Sequence, residues 1–144
     1  VSGGHTGSTK VWDFKTGSCI FNLIGHCSLV SNIVITPNAI VTGSTDCTVR
    51  HWHKQSGALL AKYFVSSGSV SALAADEHRM LTGSDSSLRF WNLKTGNCIE
   101  LLPDVNVIWR VEMNESMCVA TGDSIIEFNG NRMNSSTLHI FNFE

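Results

Sequence analysis

Three tryptophans, Trp12, Trp52 and Trp91, stand 40 and 39 residues apart, and the residues around them repeat with them. Ahead of them come Ser2-Gly3, then Thr42-Gly43-Ser44-Thr45-Asp46, then Thr82-Gly83-Ser84-Asp85. Behind them come Lys15-Thr16-Gly17-Ser18-Cys19-Ile20, Ser56-Gly57-Ala58-Leu59-Leu60 and Lys94-Thr95-Gly96-Asn97-Cys98-Ile99. A fourth row, from Thr121-Gly122-Asp123 to Leu138-His139-Ile140-Phe141-Asn142-Phe143, puts Phe141 where the others have Trp. It carries about ten extra residues between Asp123 and Leu138, read as an enlarged loop. A period of this size means one supersecondary unit per repeat, each burying its apolar face against its neighbours. Val30 to Ile35, Ala39 to Thr42, Thr48 to Trp52 and Leu59 to Phe64 are strand-length, β-branched or aromatic, and bounded by turn residues. The chain is therefore all-β.

Composition agrees and removes other classes. Charged residues make up 15 % of the 144, against roughly 25 % in soluble domains, which argues against a coiled coil or a disordered tail. A net charge of −2 supplies no basic field, so neither nucleic acid nor an anionic membrane is an expected partner. No apolar run approaches the roughly 18 residues of a membrane helix. Val1 to Lys10 reads as a turn-rich strand segment cut from a longer chain, not as a signal peptide. Cys19, Cys27, Cys47, Cys98 and Cys118 lack zinc spacing and are odd in number, so buried or inert thiols in a reducing compartment are expected. The sequons at Asn114 and Asn134 are chance matches on the same view. His51 and His53 share one side of a strand at chelating spacing but lack a third ligand, so no metal is expected, nor any cofactor. No nucleophile elbow, phosphate loop or placed carboxylate pair occurs, which makes an enzyme improbable.

Gly25-His26, with His26 lying 26 residues before Trp52, and Trp12-Asp13 complete the pattern. Over its whole length the chain resembles the WD-repeat family. The resemblance implies a partial β-propeller, about three to four blades of a seven- or eight-bladed ring. Residues 1–24 are an incomplete blade, 25–65 and 66–102 whole blades, and 103–144 a last blade lacking its outer strand, for which a segment upstream of Val1 is the expected source. It also implies a buried hydrogen-bonded tetrad in the second blade, His26, Thr42, Asp46 and Trp52. In the third blade Ser66 stands near the expected His, leaving Thr82, Asp85 and Trp91. The fourth has neither Trp nor His at the tetrad positions, so the later blades should lean on apolar packing.

The last blade is more particular. Val107-Ile108-Trp109-Arg110-Val111, Met117-Cys118-Val119-Ala120 and Leu138 to Phe143 resemble the last blade of F-box/WD-repeat substrate receptors of SCF ubiquitin ligases; Gly25 to Ser31 and Leu93 to Ile99 are similar to their penultimate blades. The resemblance implies a non-catalytic substrate-recognition module for phosphorylated degrons, joined to the SCF core through an upstream F-box that these residues do not contain, in nucleus or cytoplasm. Trp109 would pack beside the phosphorylated residue. The family's phosphate-binding arginines map to Ser31, Ser71 and Trp109, and to Thr6, Thr45 and Ser84, none of which is Arg, so a phosphate pocket would lie mainly elsewhere. Arg110 is the nearest basic candidate, although strand alternation should point it away from Trp109. Arg132 and the loop from Ser124 to Ser136 could contact a partner, but a mobile insertion is the preferred reading. The rivals are a general WD-repeat scaffold in RNA processing, transcription or trafficking, and a degenerate fragment.

Overall fold

Alternating β-branched and aromatic residues between turn formers favour extended chain wherever one face can be buried. The computed structural model describes residues 1–65, 68–85, 87–103, 105–128 and 131–142. Its regular elements are β1 (Ser2–Gly3), β2 (Thr9–Trp12), β3 (Cys19–Leu23), β4 (Val30–Ile35), β5 (Ala39–Ser44), β6 (Thr48–His53), β7 (Leu59–Phe64), β8 (Val70–Ala75), β9 (Arg79–Ser84), β10 (Ser87–Asn92), β11 (Cys98–Pro103), β12 (Val107–Met113), β13 (Met117–Phe128) and β14 (Asn131–Asn142). They make four sheets, ordered β1-β2-β3, β4-β5-β6-β7, β11-β10-β9-β8 and β12-β13-β14. The chain divides into two compact units, Val1–Val70 and Ser71–Glu144.

In the first unit Leu23, Ile40 and Trp52 form a buried cluster, with Val11, Phe21 and Ile33 against it. Trp52 faces Ile40 across the β5–β6 ladder. In the second unit Ala72, Leu81, Leu88, Val105, Ile108, Val111, Cys118 and Ala120 form the core, and Phe141 packs against it. Removing such groups from water is worth roughly 25 cal/mol per Å², so this core stabilises the unit without a full polar tetrad.

Turn chemistry repeats as well. Asp13 Oδ1 accepts from the Lys15 and Thr16 amides at 2.7 and 3.2 Å, and Asn92 Oδ1 accepts from those of Lys94 and Thr95 at 3.0 and 3.1 Å. Either side chain closes such a turn, which is why Asn stands in for Asp in the third repeat. Gly17, Gly57 and Gly96 end the three turns with φ of 71, 69 and 76°, a region that costs most other residues strain.

Two expectations are corrected. The insertion between Asp123 and Leu138 is not an enlarged loop: β13 and β14 stay paired from Asp123↔Ser136 out to Phe128↔Asn131, so the added chain lengthens a hairpin. Paired backbone groups satisfy each other there, whereas a loop would leave them to water. Nor does simple alternation separate Trp109 from Arg110. The β12–β13 register passes from Ile108↔Gly122 to Arg110↔Thr121, a bulge at Trp109 with Trp109 and Arg110 both exposed. Of the thiols, Cys118 is buried, Cys47 half-buried, and Cys19, Cys27 and Cys98 exposed. No helix among the described residues is long and apolar enough to cross a membrane.

Candidate functional site

Two polar constellations emerge, one buried and one exposed. The buried one joins His26 to Thr42, Asp46 and Trp52. The indole Nε1–H of Trp52 donates to Thr42 Oγ1 at 2.9 Å, Thr42 Oγ1 lies 2.8 Å from His26 Nε2, and His26 Nδ1 lies 2.9 Å from Asp46 Oδ2. An indole can only donate and a carboxylate can only accept, so with a neutral imidazole every proton runs one way, from Trp52 towards Asp46. Asp46 also receives the Thr48 hydroxyl at 2.6 Å, the Thr48 amide at 3.0 Å and the Cys27 amide at 3.0 Å.

Burial is the main force on His26, and with the nearby Arg50 it lowers the imidazole pKa below its ordinary 6.5 despite the pull of Asp46. At neutral pH this contact is therefore a hydrogen bond to a carboxylate, not an ion pair. Burial would raise Asp46, but the Thr48, Cys27 and His26 hydrogen bonds prevail and hold it near about 2.

Both shifts make the folded state lose stability in acid. The unfolded chain takes up a proton at His26 near pH 6.5 while the folded chain does not, and at Asp46 near 3.8 against about 2. The melting temperature is expected to fall as pH drops below about 6.5 and again below about 4. His26→Gln should abolish the first decline; a wild-type melting temperature that stays flat between those two values would contradict the assignment.

Sequence reasoning missed Arg50, which in an alternating strand looks like a solvated residue. It is only 9 % exposed. Its Nη2–H donates to Gly25 O at 2.6 Å, and its guanidinium lies 5.8 Å from the Trp52 ring centroid. A Cβ on Gly25 would collide with that guanidinium, so the glycine before His26 was the available signal. Elsewhere the set is shorter: Trp91 donates to Thr82 Oγ1 at 2.9 Å and Trp12 to Ser2 Oγ at 2.9 Å. Asp85 is exposed, and Ser66 lies outside the described residues. His53 Nδ1 is 2.8 Å from Ser56 Oγ, and no metal-holding group of three His, Cys, Asp or Glu occurs among the described residues.

The exposed constellation lies at the start of β12. Trp109 is 52 % exposed, and the Arg110 guanidinium is held by Glu112 Oε1 at 3.0 and 2.6 Å. The other candidate contacts behave differently. Ser31 Oγ donates to Val70 O at 3.1 Å, and Ser71 Oγ to Ile108 O at 2.5 Å. Thr45 Oγ1 donates to Ser28 Oγ at 2.7 Å and is half-buried. Ser84 is 2 % exposed, its hydroxyl turned to Ser87 O at 3.3 Å; burial in the sheet leaves it no surface to offer a partner. Thr6 is exposed. Arg132 is in β14, paired through its backbone with Glu127.

The family model described as "WD domain, G-beta repeat" matches residues 17–53 and 57–92. Cell division control protein 4 of Candida albicans is 32 % identical over 127 residues, covering 87 % of this chain and 19 % of that protein. Mitochondrial division protein 1 of Pyricularia oryzae is 44 % identical over 52 residues, covering 36 % of this chain and 8 % of that protein. The chain thus spans a fifth or less of these relatives. The crystal structure of the RRP9 WD40 repeats superposes with a TM-score of 0.75 at 20 % identity, over 84 % of this chain and 40 % of that one.

Proposed function

We propose, since the chain belongs to the WD-repeat family and has the all-β fold of a partial β-propeller, that it is a non-catalytic protein-interaction module serving substrate recognition. The coarse role as a protein-binding WD-repeat unit follows from the family itself. The finer reading is that of an SCF-type receptor that presents phosphorylated segments, in nucleus or cytoplasm, with blades at 1–24, 25–65, 66–102 and 103–144. It is supported by the resemblance of Val107 to Val111 and Leu138 to Phe143 to the last blade of such receptors. The match to Cell division control protein 4 over most of the chain adds to it.

The observation that carries the reading is Trp109, an aromatic plate left exposed by a bulge where a strand of regular pleat would alternate. A large rigid ring offers contact area at small cost in side-chain entropy. Arg110 is the adjacent cation; in the first unit Ser31, exposed although its hydroxyl is bonded to Val70 O, and Thr45 are separate proposed contacts. With no arginine at the expected phosphate positions, the surface around Trp109 supplies apolar packing and leaves most phosphate recognition to other parts of the protein.

Binding of a phosphorylated Thr-Pro peptide to the intact protein tests this. Trp109→Ala is expected to weaken binding about ten- to thirtyfold, the size of a central aromatic anchor. Undiminished affinity would remove the assignment. The shorter match to Mitochondrial division protein 1 favours a second reading, a scaffold in another assembly; on that reading phosphorylated and unphosphorylated peptides would bind alike.

A further inference from the structure

We infer that Ser71 is a positioning residue for Trp109: its hydroxyl locks the peptide on which the indole is mounted. The inference rests on the reading of Trp109 as a partner contact and adds the device that aims it. In a regular ladder a residue's peptide is fixed by cross-strand bonds. At Trp109 the register jumps from Ile108↔Gly122 to Arg110↔Thr121, so Trp109 has no ladder partner of its own. A residue so placed would swing about its backbone unless another bond held it.

The Ser71 hydroxyl supplies that bond, donating to the Ile108 carbonyl at 2.5 Å. That carbonyl and the Trp109 amide belong to one planar peptide, so fixing one fixes the other. Ile108 is wholly buried and packed closely enough on Gly83 that even a Cβ there would collide with it. A related serine-to-carbonyl bond stands in the first unit, where the donor rather than the acceptor's neighbour is the residue at the bulge. There Ser31 sits at a register jump from Val30↔Ser44 to Asn32↔Gly43, and Val70 O receives both Ser31 Oγ at 3.1 Å and Asn32 Nδ2 at 2.9 Å. Two serines aligned for ligand contact thus spend their hydroxyls on a backbone carbonyl, Val70 O and Ile108 O. The recurrence marks the bond as a feature of the repeat, and in the second unit the residue next to the bonded carbonyl is the exposed tryptophan.

The test is Ser71→Ala in the intact protein labelled with 5-fluorotryptophan. The Trp109 resonance, assigned by its loss in Trp109→Phe, is expected to broaden or shift while that of Trp91 stays put. Affinity for the phosphorylated Thr-Pro peptide should fall about three- to tenfold, the worth of one hydrogen bond, mostly through faster dissociation. Ser71→Cys, isosteric with a weak donor, should recover part of both. An unchanged Trp109 resonance in Ser71→Ala overturns the inference. So does unchanged peptide affinity in Ser71→Ala when Trp109→Ala weakens binding as expected. If Trp109→Ala itself binds normally, the functional reading fails, and the fluorine resonance still decides whether Ser71 holds Trp109.

Discussion

Asp46→Ala is expected to destabilise the chain by about 3 kcal/mol, since a buried donor left without its acceptor costs about 1–3 kcal/mol. Four donors converge on this carboxylate: the Thr48 hydroxyl and amide, the Cys27 amide and His26 Nδ1. Deleting the acceptor removes a partner from all four at once, and for the buried ones, on His26 and Thr48, the orphaned group costs more than the bond returned when made. Asp46→Asn keeps one carbonyl oxygen but turns an amide N–H₂ towards donors, so its loss should be intermediate. Asp13→Ala, in an exposed turn with two amide donors, serves as control and should cost about 1 kcal/mol. Urea unfolding of the four proteins measures this; equal midpoints for Asp46→Ala and Asp13→Ala would show that the buried network contributes nothing special.

This ordering marks how far the sequence alone could be read. The 40- and 39-residue spacings locate Trp52 and Trp91, and the hydroxyl partner of each lies ten or nine residues earlier, because Thr42 faces Arg50 and Thr82 faces Arg89 across ladders that any such hairpin must form. His26 is harder: it precedes its own sheet and reaches Thr42 only because the strands return, so family resemblance was needed to place it. Arg50 was not legible, since no periodicity distinguishes an arginine that reaches water from one that folds back to Gly25 O. Register jumps are equally silent. One bulge residue interrupts the alternation on which the expected separation of Trp109 and Arg110 rested, and pairing extends through Phe128↔Asn131 where only added length was visible. What the sequence reveals is spacing along the chain; what it hides are the places where one residue breaks the pleat.

The second large effect is expected at Gly83, whose backbone lies against the strand that carries Trp109. A Cβ there would sit 2.6 Å from both Cβ and Cγ2 of Ile108 and 3.1 Å from Ala72 Cβ. A side chain can rotate its γ-carbons away but not its Cβ, so relief requires the β12 backbone to retreat from β9. Gly83→Ala should therefore cost about 3 kcal/mol, the upper range for overpacking, and should weaken peptide binding through displacement of Ile108. Gly43 is the instructive comparison. Its nearest obstruction is Val70 Cγ1 at 2.8 Å, with Val70 Cβ at 3.3 Å, so truncating Val70 removes the main clash. In double-mutant cycles Gly43→Ala with Val70→Ala is expected to be less destabilising than the sum of its parts by about 1 kcal/mol or more. Gly83→Ala with Ile108→Ala retains the Cβ clash and should be rescued far less. Equal coupling in the two cycles would mean that the sheets yield at β12 as easily as a valine methyl turns.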